Sequence, residues 1–182
     1  MKNEFLTDVK TLRQRARQHM ERGAVTEGYK ADIPTVVRIL NEALATEIVC
    51  VLRYKRHYFM ASGIHAQSVR QEFLQHANDE QMHADQIAER ITQLQGEPNF
   101  SPEGLASRSH SEYKEGDSLT EMIKEDLVAE RVAIESYSEM IKYFGDKDPT
   151  SRRMLEEILA KEEEHADDLV NLLETLSESA AK

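Results

Sequence analysis

The chain has 182 residues, 40% of them hydrophobic and 31% charged, which suits one domain with its own core. With 34 acidic and 23 basic residues, the formal net charge is -11, which argues against nucleic-acid binding by the whole surface. One cysteine, Cys50, excludes an internal disulfide framework and a four-cysteine metal site. No apolar run approaches the roughly 18 residues of a membrane span and no signal-peptide pattern follows the start, so we expect a cytoplasmic protein with no membrane partner.

Apolar residues that recur every three or four positions predict five helices. The first, over residues 3–22, has a weak stripe made of Phe5, Val9, Leu12, Ala16 and Met20. The other four are expected over residues 32–61, 65–95, 118–145 and 148–176, with capping residues, Gly or Pro at their ends. No alternating apolar run predicts a strand. The expected fold class is therefore all-α.

The lengths of the connections predict the topology. Three or four residues join the second helix to the third and the fourth to the fifth, so each pair should form an antiparallel hairpin. The polar stretch 97–117 is long enough to run back along a helix. We therefore expect a four-helix bundle of two antiparallel hairpins with a long crossover, over residues 32–178. Residues 1–31 are expected to form an N-terminal basic helix and loop.

Each long helix carries one glutamate in the middle of an otherwise apolar stripe. These residues are Glu47, Glu80, Glu130 and Glu162. An isolated buried carboxylate costs several kcal/mol or becomes neutral through a pKa shift. Four of them at one level would repel each other unless cations lie between them. Two divalent metal ions would cancel the four charges, so the stripes predict a two-metal site.

Two of these glutamates begin an E-x-x-H pair, Glu80/His83 and Glu162/His165. This spacing puts both side chains on one helical face, where they can point at one metal ion. With 24 Glu and 7 His residues, about one such pair is expected by chance. Here there are two, and both lie on the inward face of the second helix of a hairpin.

A degenerate two-fold repeat connects these features. A lone inward glutamate precedes each pair, by 33 residues in the first hairpin and 32 in the second, and a tyrosine (Tyr54 or Tyr137) follows each lone glutamate by seven residues. The repeat preserves six candidate ligands: Glu47, Glu80, His83, Glu130, Glu162 and His165. Carboxylate and imidazole ligands favour iron or manganese, whereas zinc would favour fewer carboxylates. The alternative is that these glutamates lie on the solvent-facing side of their helices and that the buried face of each helix is a different one.

The sequence resembles the bacterioferritins and the Dps-like ferritins that have a bacterioferritin-type di-iron centre, within the ferritin-like superfamily. The resemblance covers about residues 35–176 and is most specific in stretches 79–91 and 157–165. It implies a ferritin-like four-helix bundle and a ferroxidase centre that binds two iron ions per chain.

The resemblance also implies roles for the six ligands and for one tyrosine. In that family, the glutamates that match Glu80 and Glu162 bridge the irons. Those that match Glu47 and Glu130 are terminal ligands, and each histidine binds one iron. Tyr54 matches a tyrosine close to the ferroxidase centre, and we count it among the candidate catalytic residues.

The implied function is oxidation of Fe(II) by O2 or H2O2 and storage of the ferric iron in a protein shell, which protects against iron-driven oxidative damage. A rubrerythrin-type di-iron peroxidase or oxidase is the alternative, with the same ligands in a small oligomer without mineral. Nothing in the chain resembles the Cys-x-x-Cys rubredoxin domain that usually supplies such peroxidases with electrons. A helical interaction module without metal is the remaining class.

Two departures from the bacterioferritin pattern bear on cofactor and assembly. Haem is not expected, because the family's haem-binding methionine directly follows the first bridging glutamate and that position is Gln81 here. Only 17 residues follow His165, too few for the extra helix of the 24-subunit cage, so a shell of 12 subunits is favoured over one of 24. His76, one turn before Glu80, is interpreted as a surface or interhelix histidine, and passage of iron inward is its alternative role.

The N-terminal segment is basic, with six basic and three acidic residues in positions 1–22. Dps proteins often bind DNA through such arms. We favour the interpretation that this segment packs on an acidic neighbour in a homo-oligomeric shell, with DNA binding as the alternative.

Overall fold

The computed structural model of the chain describes residues 7–64 and 66–180. Within them it contains six helices and no strand, which confirms the all-α class. The helices are α1 (Val9–Arg15), α2 (Ile33–Met60), α3 (Ala66–Gln93), α4 (Leu105–Arg108), α5 (Leu119–Phe144) and α6 (Pro149–Ala180). None of the helices in these ranges is both long and apolar enough to cross a membrane.

Local side-chain contacts explain where the long helices begin. The Asp32 carboxylate accepts a hydrogen bond from the backbone N–H of Thr35 at 3.1 Å and caps α2. At the start of α5, the Ser118 hydroxyl accepts from the N–H of Glu121 at 3.2 Å. The Glu121 carboxylate accepts in turn from the N–H of Asp117 at 3.1 Å. Each cap stabilises its helix by about 1 kcal/mol, because it satisfies an N–H that has no partner within the helix.

The predicted bundle topology is confirmed. Helix α2 packs along α3, and α5 along α6. The crossover between the hairpins follows α2 in the same direction: Asn41 donates to the Glu97 carbonyl at 3.1 Å, and Arg53 to the Glu112 carbonyl at 3.0 Å. Helix α5 therefore starts beside the C-terminal end of α2 and runs antiparallel to it. The short helix α4 within the crossover was not predicted.

The apolar core consists of two clusters at opposite ends of the bundle. The first contains Leu40, Ile87, Phe144 and Leu155 among others. The second contains Val69, Phe73, Ile123 and Leu169 among others. The middle glutamate of each long helix lies between the two clusters. The four carboxyl groups are therefore enclosed by apolar residues on both sides along the bundle axis.

The predicted length of the first helix was wrong. Helix α1 has only seven residues, and a separate 3₁₀ turn follows at Met20–Arg22 after His19, which adopts a φ of 51°. The stripe residues Val9, Leu12 and Met20 are 59%, 51% and 74% exposed. A helix this short is marginal without tertiary packing, and no residue of α1 is buried. Phe5 lies outside the described residues, and the domain division at residues 31/32 stays a prediction.

Candidate metal centre

Six side chains meet at mid-height of the bundle, between the two apolar clusters. They are Glu47 from α2, Glu80 and His83 from α3, Glu130 from α5, and Glu162 and His165 from α6. Each is at most 6% exposed. The helical spacing of each E-x-x-H pair and the antiparallel packing of the hairpins bring the whole predicted ligand set together. That these six residues bind metal stays a prediction, which the geometry of the cluster supports.

The cluster divides into two overlapping groups of possible ligands, and within each group one ligand atom per residue lies within 4.8 Å of the others. One group consists of Glu47, Glu80, His83 and Glu162. The other consists of Glu80, Glu130, Glu162 and His165. Glu80 and Glu162 belong to both, so each can contribute one carboxylate to two neighbouring cations.

The histidines face these carboxylates without forming proper hydrogen bonds. Nδ1 of His83 lies 2.9 Å from Glu162 and 3.5 Å from Glu80. Nδ1 of His165 lies 3.4 Å from Glu80 and 3.6 Å from Glu162. Both nitrogens, both oxygens of Glu162 and one oxygen of Glu80 are buried and have no hydrogen-bond partner among the described residues. Buried polar atoms without partners are costly, and a shared cation would satisfy them.

Without metal, protons keep the cluster close to neutral. Burial and the charge of Glu80 raise the pKa of Glu47 to about 8. Burial, followed by the charges of Glu80 and Glu162, raises the pKa of Glu130 well above its ordinary value. Burial alone would lower the pKa of His165, but the nearby Glu162 and Glu80 carboxylates raise it to about 10. Divalent cations can replace these protons, since metal ligands have to be deprotonated.

Two buried tyrosines orient the two unshared glutamates. The Tyr54 hydroxyl donates to Oε1 of Glu130, and the Tyr137 hydroxyl donates to Oε1 of Glu47. In the first bond the tyrosine belongs to α2 and the glutamate to α5, and in the second these helices are exchanged. The two bonds therefore have the same two-fold relation as the repeat in the sequence. In Glu47 the second oxygen remains buried and unpartnered. The tyrosines thus hold one oxygen of each glutamate and leave the other for a cation.

A carboxylate and a second histidine contact His165. Nε2 of His165 lies 3.2 Å from Oδ2 of Asp79. When His165 is neutral, as a metal ligand has to be, this contact keeps the ring hydrogen on Nε2 and directs the Nδ1 lone pair at the cluster. His76 is an interhelix histidine rather than a surface one: it is fully buried, and its ring stacks on His165 with the centroids 3.9 Å apart.

A buried ionic network that was not predicted from the sequence lies next to the centre. Nε of Arg53 lies 2.8 Å from Oδ1 of Asp126, and Nδ1 of His57 lies 2.8 Å from Oδ2 of the same carboxylate. All three side chains have no exposed surface. A signal was present, because His57 follows Tyr54 by three residues and Asp126 precedes Glu130 by four, so both continue the inward stripes.

Known proteins share this arrangement of helices. Residues 37–179 match the ferritin family, described as a ferritin-like domain. Bacterioferritin BfrA of Mycobacterium tuberculosis is 32% identical over 144 residues, which cover 79% of this chain and 86% of the relative. A Bacteroides fragilis structure, described as a dodecameric thioferritin and a bacterioferritin-related protein, has a TM-score of 0.80 at 29% identity and covers 84% of this chain and 92% of its own. A Bacillus anthracis structure described as a ferritin-like, diiron-carboxylate protein has a TM-score of 0.69 at 27% identity, covering 78% and 96%.

Proposed function

The chain belongs to the ferritin family, and we propose that it is a ferroxidase that oxidises Fe(II) within each chain and stores the ferric product in a protein shell. The observation that carries this proposal is the pair of buried ligand groups that share Glu80 and Glu162. Two carboxylates common to two groups suit a pair of cations better than a single one. A protein that only needed a folded core would gain nothing from six buried ionisable groups.

The proposed ligand roles follow from the two groups. Glu47 and His83 would bind one iron and Glu130 and His165 the other, while Glu80 and Glu162 bridge them. Tyr54 would act by holding Glu130 in place. Two carboxylates in the bridge and one at each end supply four negative charges, which match two Fe(II) ions. The resulting neutrality is what makes the buried cluster tolerable in an apolar layer.

The redox balance requires a two-electron oxidant. Two Fe(II) ions give up one electron each, and H2O2 with two protons accepts both to form two molecules of water. With O2 as the oxidant, two electrons and two protons yield H2O2. The role of the chain is to hold both irons together in one site, so that the two electrons are delivered in a single encounter with the oxidant.

We propose further that twelve chains assemble into the shell, as in the Bacteroides fragilis relative described as dodecameric. Large apolar side chains are exposed in and next to the hairpin of α2 and α3: Leu52 at 49%, Phe59 at 73%, Ile64 at 92% and Met82 at 55%. Such residues are available for contacts between chains. Static light scattering of the purified protein is expected to give a mass close to twelve times that of the chain. A dimer or a 24-mer would contradict the proposed shell.

Iron retention tests the storage function. After aerobic loading with Fe(II), a desalting column and total-iron analysis, we expect tens of iron atoms per chain. That number far exceeds the two ions that a di-iron centre alone can hold. The matched control is loading with ferric citrate, which supplies iron that needs no oxidation and should give little retention.

The other results of the loading experiment distinguish the alternatives. About two irons per chain would support the six-residue centre but contradict storage, and would favour a rubrerythrin-type peroxidase or oxidase. No retained iron would contradict the metal centre itself.

A further inference from the structure

A second group of metal-ligating side chains lies next to the six-residue cluster, between α3 and α6. Nε2 of His76 lies 3.4 Å from Oε1 of Glu72 and 3.7 Å from Oδ2 of Asp168. The side chains of Glu72 and Asp168 are 30% and 38% exposed, whereas His76 has no exposed surface. One ligand atom from each residue lies within 4.8 Å of the other two.

The contacts of His76 decide which ring nitrogen carries the hydrogen. Nδ1 of His76 lies 3.1 Å from the Tyr54 hydroxyl, which donates its own hydrogen to Glu130. This inference rests on the proposed function, in which Glu130 is an ionised metal ligand and can only accept. The Tyr54 oxygen then has to accept from Nδ1 of His76, so that Nε2 keeps a lone pair.

Three acceptors therefore point at one place. Nε2 of His76 is buried and has no hydrogen-bond partner among the described residues, and the two groups that it faces are carboxylates. A buried acceptor that faces other acceptors is unfavourable unless a proton or a cation lies between them. The distances of 3.4 Å and 3.7 Å from Nε2 to the two carboxylate oxygens exceed those of an ordinary charge-assisted hydrogen bond, so a second proton on the ring would bind poorly to either of them. A metal cation satisfies all three acceptors.

We propose that Glu72, His76 and Asp168 bind a third divalent transition-metal ion, beside the two held by the six-residue cluster. One imidazole and two carboxylates are ligands that Fe(II), Mn(II) and Co(II) accept. The His76 ring stacks directly on His165, so the third ion lies next to the centre. Because Glu72 and Asp168 are partly exposed and the centre is buried, an ion from solvent meets these carboxylates first. The third site thus receives ions before they reach the centre.

Titration with Co(II) as the only added metal tests this proposal on the assembled, metal-free protein. The variant is Glu72→Gln/Asp168→Asn, which removes both carboxylate ligands and keeps side-chain size. The control is Glu89→Gln/Asp167→Asn, which makes the same charge change on the same two helices at exposed positions outside both groups. We expect the variant to bind one Co(II) per chain fewer than the wild type and the control, which should bind the same number. Anomalous scattering at the cobalt edge should place the missing ion at His76.

Each outcome has a distinct meaning. Equal Co(II) numbers in the variant and the control would overturn the third site and leave the six-residue centre standing. Failure of the wild type to bind even two Co(II) ions per chain would overturn the proposed function together with this inference. Far-UV circular dichroism shows whether the variant is folded. If it is not, the single variant Asp168→Asn replaces it, and an unchanged cobalt peak at His76 in that variant would contradict the proposal.

Discussion

Replacing Glu80 or Glu162 by alanine is expected to abolish fast Fe(II) oxidation. These carboxylates belong to both ligand groups, so one substitution removes a ligand from both irons. Loss of a residue that only orients a metal ligand typically costs about 10–100-fold in metal affinity or activity. Loss of a ligand shared by both irons should therefore lower the oxidation rate by more than about 100-fold. Stopped-flow absorbance of the ferric product measures the rate.

Neighbouring variants make this test specific. Glu163→Ala removes an exposed carboxylate next to Glu162 and should oxidise iron at the wild-type rate. Glu47→Ala removes a ligand from one group only, so its rate should lie between those of Glu80→Ala and the wild type. Far-UV circular dichroism of each variant separates the loss of a ligand from the loss of the fold. A wild-type oxidation rate in both Glu80→Ala and Glu162→Ala would refute the assignment of the site.

The substitution Asp126→Asn is expected to lower the free energy of unfolding by about 3–5 kcal/mol, the typical cost of leaving one member of a buried ion pair uncompensated. The Arg53 guanidinium and the Asp126 carboxylate both lack exposed surface and lie 2.8 Å apart. Arg53 also donates to Ser111 and to the Glu112 carbonyl, so the loss would loosen the crossover as well. Denaturant unfolding at one fixed protein concentration measures the change.

A surface ion pair between the same two segments is the matched control. Arg56 and Glu115 also join α2 to the crossover, with nitrogen and oxygen 2.8 Å apart, but their side chains are 25% and 64% exposed. The substitution Glu115→Gln should cost at most about 1 kcal/mol, because water solvates both charges and screens their attraction. Equal losses for Glu115→Gln and Asp126→Asn would show that burial of the Arg53–Asp126 pair contributes nothing to its effect.

The sequence was sufficient to predict the hairpins and the membership of the cluster. Helical periodicity depends only on the order of residues, so it places Glu80 and His83 on one face before any packing is known. Caps such as Asp32 and Ser118 act within a few residues, and the short connections leave antiparallel packing as the available arrangement. For the same local reasons, the two-fold repeat could be identified from spacing alone.

Only the tertiary structure decided how residues from different helices pair. That Tyr54 bonds Glu130, rather than Glu47 on its own helix, depends on the antiparallel packing of α5 against α2. The stacking of His76 on His165 likewise requires a particular alignment of α3 and α6. The first helix shows that periodicity alone is not sufficient. Its apolar stripe predicted a long helix, but no residue of α1 is buried, so no tertiary packing stabilises a longer one. Periodicity determines which face of a helix is apolar, whereas burial and partners depend on neighbours that are distant in the chain.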